Sequence, residues 1–282
     1  MKKTLLLLST ALILNAETIH SSLSTYLETK DYENSKQKNS AVAYGVGADV
    51  HVDKHAFKAA YEYTIGDTKK PPMKHDLKHN KLYLKYSYSF NDKFEVNTNF
   101  INVLHDNTAP TSDGKTIGAG ITYNLNKSIS ANFTQYYSNY RHFDAYQSDL
   151  HVDYKFKIDN VKIKLSSITK YINLDDKIKN SFTKNAQKDY LTSGLKLHID
   201  YKGYLVGAGF YTGKRVFAIM QDGFKIQHHA MEFDRTYAVG VGKIIDKFVL
   251  RVQYIYQRAE ELPIQNDNVK VKAFRFIANY KF

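Results

Sequence analysis

Three stretches of the chain repeat one triplet of ionisable residues: His51-Val52-Asp53, His151-Val152-Asp153 and His198-Ile199-Asp200. Asp49 and Asp149 precede the first two, giving Asp-x-His-x-Asp twice. Residues two apart share one face of a β-strand. On a strand, each imidazole would lie beside carboxylates that stabilise its charged form and raise its pKa. One reading is a pH-sensitive or cation-binding constriction. The other, which is preferred, is a set of ordinary wet positions in a shared strand grammar. Imidazole and carboxylate also ligate zinc, but the copies belong to strands far apart, and neither a metal site nor a cofactor is expected. The clusters His228, His229, Glu232, Asp234 and His75, Asp76, His79 read as solvated loop residues.

A second group of charges is basic. The chain carries 40 Lys and Arg against 28 Asp and Glu, a formal net charge of +12. Lys155, Lys157, Lys162, Lys164, Lys170 and Lys196 fall on three consecutive alternating segments. Lys85, Arg251 and Arg275 occupy the polar parity of others. If Lys155, Lys164, Lys196, Arg251, Arg275 and Lys85 share one water-filled wall, the local potential favours anions. The competing use of basic residues is contact with acidic lipopolysaccharide, which suits the loop lysines Lys69, Lys70, Lys74 and Lys78. Nucleic acid is not an expected partner.

The elements that would carry these charges are strands. Val42, Tyr44, Val46, Ala48, Val50 and Val52 alternate with Ala43, Gly45, Gly47, Asp49, His51 and Asp53. The same period of two runs through residues 81–90, 117–125, 150–158, 248–256 and 274–282, and each run is about ten residues, the reach of a tilted membrane strand. Tight turns at Asp53-Lys54-His55, Asn91-Asp92-Lys93, Asn126-Lys127, Asp159-Asn160, Lys202-Gly203 and Asp246-Lys247 use residues that tolerate positive φ. Longer polar connections lie between them, at about 29–40, 66–79, 105–115, 138–148, 174–189, 212–233 and 258–269. Short and long connections therefore alternate. The pattern predicts an all-β fold: a transmembrane antiparallel up-and-down β-barrel of about 14 strands, with 12 to 16 tolerated. No later segment is long and apolar enough for a membrane helix. No Cys is present, and the 23 Tyr suit a membrane–water boundary.

Residues 1–16 have the form of a signal peptide, with Lys2 and Lys3 ahead of the apolar run Leu5 to Leu14. Residues 17–282 then form a single barrel domain. At the other end, Phe274, Phe276, Ala278, Tyr280 and Phe282 share one face. This ending resembles the closing strand of bacterial outer-membrane β-barrels. The resemblance implies that Phe274, Phe276, Tyr280 and Phe282 form an assembly signal read by the barrel assembly machinery, in the outer membrane of a Gram-negative bacterium. In strand count and turn alternation the chain also resembles monomeric fourteen-stranded porins of the outer-membrane porin G type. That likeness implies passive diffusion of small hydrophilic solutes, by a monomer or a homotrimer.

Eight-stranded barrels are filled and sixteen-stranded ones open, so fourteen strands predict a narrow aqueous pore partly filled by side chains or an inward-folded loop. Three alternatives stay open: a lipid-acting barrel enzyme using residues such as Ser138, His142 and Asp144, a hydrophobic-solute transporter, and an adhesin.

Overall fold

The computed structural model describes residues 19–70, 73, 75–104, 109–176, 183–227 and 229–282. The expected signal peptide 1–16, Lys74 and His228 lie outside the described residues.

The first half of the barrel comprises β1 Ile19–Glu33, β2 Lys38–Val52, β3 His55–Thr68, β4 Leu77–Ser89, β5 Phe94–Leu104, β6 Lys115–Asn124 and β7 Ile129–Asn139. The second half comprises β8 Phe143–Ile158, β9 Val161–Asp176, β10 Asp189–Tyr201, β11 Tyr204–Arg215, β14 Met231–Ile245, β15 Phe248–Glu261 and β16 Asn266–Lys281. A small hairpin, β12 Ile219–Met220 and β13 Lys225–Ile226, belongs to the connection between β11 and β14. The fourteen longer strands pair antiparallel with their chain neighbours, and β1 pairs with β16 to close the ring. Closure is required in a bilayer, where an unpaired strand edge has no water to satisfy it.

The alternating parity sorts the two faces as expected. Leu23, Leu27, Tyr44, Val46, Leu195, Val239, Val241, Phe274 and Phe276 are exposed on the outside, an apolar belt that only lipid can cover. Their neighbours Glu28, Glu62, Lys81, Asp149 and Arg275 are buried on the inside. The tight turns form where Asp53, Asp159, Lys202 and Asp246 adopt positive φ. Asn91 and Asn126 close two others by accepting backbone N–H bonds through their side-chain Oδ1.

The strands run further at the outer end than apolar alternation indicates. β1 continues to Glu33, β8 begins at Phe143 and β16 at Asn266, where the sequence suggested loops. Above the lipid both faces are wet, so backbone pairing continues through Lys30, Asp31 and Lys272 without an apolar stripe to reveal it.

The outer half of the lumen is not empty. Residues 216–227, 229 and 230 fold inward, and Val216, Phe217, Ala218 and Ile219 are fully buried. They pack on Tyr83, Ile101, Tyr136, Phe143 and Ile172 from the β4–β9 wall, and on Leu262. A second apolar cluster joins Tyr32, Met231, Phe233, Val269 and Val271 at the outer ends of β1, β14 and β16.

Candidate functional site: the basic lumen beside the inward loop

The inward loop is fastened at three heights. Gln147 on β8 holds Ile219 from both sides: its Nε2 donates to the Ile219 carbonyl and its Oε1 accepts the Ile219 N–H, each at 2.8 Å. At the tip, Gln221, Asp222 and Gly223 all have positive φ. The tip is pressed so closely on β5 that a Cβ on Gly223 would lie 2.6 Å from Asn99 Oδ1. Asp222 reaches within 3.6 Å of His151 Nδ1. Burial alone would raise the Asp222 carboxyl, but His151, Lys196 and Lys85 hold it below the ordinary carboxylate range. On the return stroke, Lys225 Nζ donates to both oxygens of Glu28, at 2.7 and 3.1 Å.

Because the loop leans on the β4–β9 wall, space remains on the opposite side. A cavity of about 270 Å³ runs between the loop and β10, β11, β14, β15, β16 and β1 to β4. Seven cations line it: Lys30, Lys38, Lys81, Lys196, Arg215, Lys225 and Arg275. Glu28 is the one carboxylate among the lining residues. Lys30, Lys225 and Arg275 all pair with that Glu28, and Lys81 pairs with Glu62. Burial, helped by the charges of Arg275 and Lys30, pushes the Lys225 ammonium down to about 7 despite Glu28.

A second cavity of about 740 Å³ lies at the opposite, short-turn end and is lined by Lys155, Lys157, Lys162, Lys164 and Arg251 against Asp200. Both cavities touch His198, Gly207, Gly240 and Gln253, so they adjoin and make one basic tract along the lumen.

All six predicted selectivity residues face the lumen, but in different circumstances. Lys155, Lys196, Arg251 and Lys85 make no ion pair among the described residues. Lys164 pairs with Asp153 at 2.9 Å, and Arg275 is committed to Glu28. Lys155, Lys164, Lys196 and Arg251 line this tract, whereas Lys85 lies outside it on β4.

The three triplets prove unlike one another. His51 pairs with Asp49 at 2.8 Å, and Asp49 also takes Lys58 at 2.7 Å. His151 pairs with Asp153 at 2.9 Å, and Asp149 pairs with Lys170. His198 has no carboxylate partner among the described residues and stands opposite Lys164 on β9, while Asp200 faces Lys162 at 4.0 Å. Asp53 belongs to a turn with positive φ.

Ser138 and Asp144 cannot act together. Ser138 is buried on the lumen side, where it accepts from Thr116. Asp144 has the outward parity of β8 and accepts from Asn139 at 3.2 Å. No group of three or more His, Cys, Asp or Glu suited to a metal ion occurs among the described residues.

Several important residues escaped the sequence reading: Glu28, Lys30, Gln147, Tyr211, Arg215, Asp222 and Lys225. Glu28 and Lys30 sit at or past the expected end of β1. Arg215, Asp222 and Lys225 fall in what reads as an outer loop. The apolar run Val216-Phe217-Ala218-Ile219 inside that polar connection is the one sequence signal of inward folding.

No protein-family model matches the chain, and no curated protein matches it in sequence. Its fold is nonetheless shared by solved structures. A "bacterial polysaccharide outer membrane secretin" superposes with a TM-score of 0.58 at 9% identity, covering 93% of this chain and 98% of the other. The Ralstonia pickettii toluene transporter TbuX gives 0.55 at 11% identity, covering 95% and 90%. The Acinetobacter baumannii outer membrane protein Omp33 gives 0.51 at 11% identity, covering 93% and 99%. With its closed ring of fourteen strands and apolar outer belt, the chain has the fold of the bacterial outer-membrane β-barrels.

Proposed function

We propose that the protein is an outer-membrane channel for passive diffusion of small hydrophilic solutes, with a preference for anions. The observation that carries this reading is the pair of adjoining lumen cavities, whose lining holds many cations and, in each cavity, a single carboxylate. A low-dielectric wall focuses such a potential on the path and raises the local anion concentration. The inward loop and outer apolar clusters narrow the path, so a small unit conductance is expected. As a monomer or homotrimer, the barrel would meet lipopolysaccharide through its outer rim and reach the membrane through the barrel assembly machinery. A carrier of neutral apolar solutes fits the lining less well, since a solute without charge leaves the lysines uncompensated.

The test is the reversal potential of the refolded protein in a planar bilayer under a KCl gradient. The expected sign is that of chloride preference. Lys164→Glu combined with Lys196→Glu should move it toward cation preference, and an unchanged potential in that variant would overturn the anion reading. Silence with hydrolysis of phospholipid would point to an enzyme instead.

A further inference from the structure

We infer that the 270 Å³ cavity contains a binding subsite for a small organic carboxylate with an apolar body, headed by Arg215. The inference deepens the channel reading and rests on it for the ligand's route.

Arg215 ends β11 and its side chain is fully buried. Its Nη2 donates to Thr236 Oγ1, while Nε and Nη1 have no acceptor among the described residues. The guanidinium is stacked between two rings, 5.5 Å from the centroids of both Tyr211 and Phe233. It makes no ion pair among the described residues; Asp234, beside Phe233, faces Arg258 at 3.7 Å. Lys196, also without an ion pair, stands over the same Tyr211 ring at 5.8 Å. Tyr211 can lie there because its cross-strand neighbour is Gly194, where a Cβ would come within 2.4 Å of the ring.

A buried cation with two unmet N–H groups calls for an anionic acceptor. The planar guanidinium fork matches a carboxylate. Room for the rest of the ligand comes from small cross-strand pairs on β11 and β14, Gly207 with Gly240 and Gly209 with Ala238. Ile255 and Val271 add apolar lining. Inorganic phosphate would satisfy the cations but leave this apolar surface unused. A neutral hydrocarbon would fill the surface but leave Arg215 unmet. A carboxylate on a compact apolar body satisfies both.

The experiment is isothermal titration calorimetry of the refolded full chain in detergent, with benzoate as the probe. Acetate, benzyl alcohol and inorganic phosphate serve as comparisons. Benzoate should bind saturably, one per barrel, at least tenfold tighter than any of the three. Arg215→Gln should weaken benzoate at least tenfold while the barrel keeps its folded migration on unheated gels. If Arg215→Gln does not fold, Gly209→Leu occupies the cavity with Arg215 left in place and should abolish binding. The subsite is refuted if benzoate binds no tighter than acetate, if phosphate or benzyl alcohol matches it, or if a folded variant keeps wild-type affinity. Binding heats need no ion flow, so the two readings fail separately. Anion current without benzoate binding removes the subsite alone, and benzoate binding without current removes the channel alone.

Discussion

Lys225 shows how a single side chain can set the charge of the path. It leaves the inward loop to reach Glu28, and Lys30 and Arg275 share that carboxylate. Three cations around one anion leave an excess of positive charge, and the Lys225 ammonium is the member that titrates near neutrality, at about 7. As pH falls through that value the cavity gains a charge. Anion preference is therefore expected to be stronger at pH 6 than at pH 8. Lys225→Met should remove part of that difference in a reversal-potential series. An identical pH series for wild type and variant would rule this role out. The stability consequence has a definite sign. The folded pKa lies below the ordinary lysine value, so the unfolded chain binds more protons between the two values. This component of stability thus rises with pH from about 7 toward the ordinary lysine range.

At the scale of elements, the inward loop is held by polar contacts at its ends and apolar packing along one side. Gln147 satisfies both backbone groups of Ile219, and Ile219 is otherwise enclosed by apolar neighbours. Gln147→Leu leaves a buried N–H and C=O without partners, at a cost of about 1–3 kcal/mol. The loop should then spend more time away from the β4–β9 wall. The expected readout is a larger and noisier single-channel current, and a current indistinguishable from wild type would show that the loop does not limit flow. The histidine triplets belong to the same scale. Their strands place them on one lumen face, yet the carboxylates are drawn to lysines on neighbouring strands, Lys58, Lys164 and Lys170. Their chemistry follows from cross-strand partners rather than from the triplet.

The whole molecule is a ring whose two faces meet opposite solvents. The β1–β16 seam pairs from Ser22 with Lys281 to Glu33 with Lys270, and the Phe282 N–H donates to the Ser21 carbonyl at 3.0 Å. The terminal aromatic is thus part of the closure. Near the middle of β14, Val239 points outward and is 57% exposed, while Gln253, on the neighbouring strand β15, faces the lumen. Val239→Arg should lower stability by about 2–4 kcal/mol, the cost of a cation facing mid-bilayer hydrocarbon. Gln253→Arg, in water, should cost far less. Urea titration of folding into lipid vesicles measures both, and equal effects would contradict the assignment of faces.

The sequence by itself determined the strands, their number and which face of each is wet. That information is local: a period of two, an Asn or Asp at a turn, a closing Phe. It also identified Lys155, Lys164, Lys196 and Arg251 as lumen residues, because parity alone assigns them. It did not show how far the strands project, since above the lipid no apolar stripe marks them. Only the tertiary structure decided what fills the lumen. Gln147 and Ile219 are 72 residues apart, Lys225 and Glu28 are 197 apart, and no periodicity links such pairs. The inward fold of residues 216–227 arises because Val216 to Ile219 find apolar partners on strands brought together by ring closure. That closure also leaves Arg215 beside a cavity instead of in a loop.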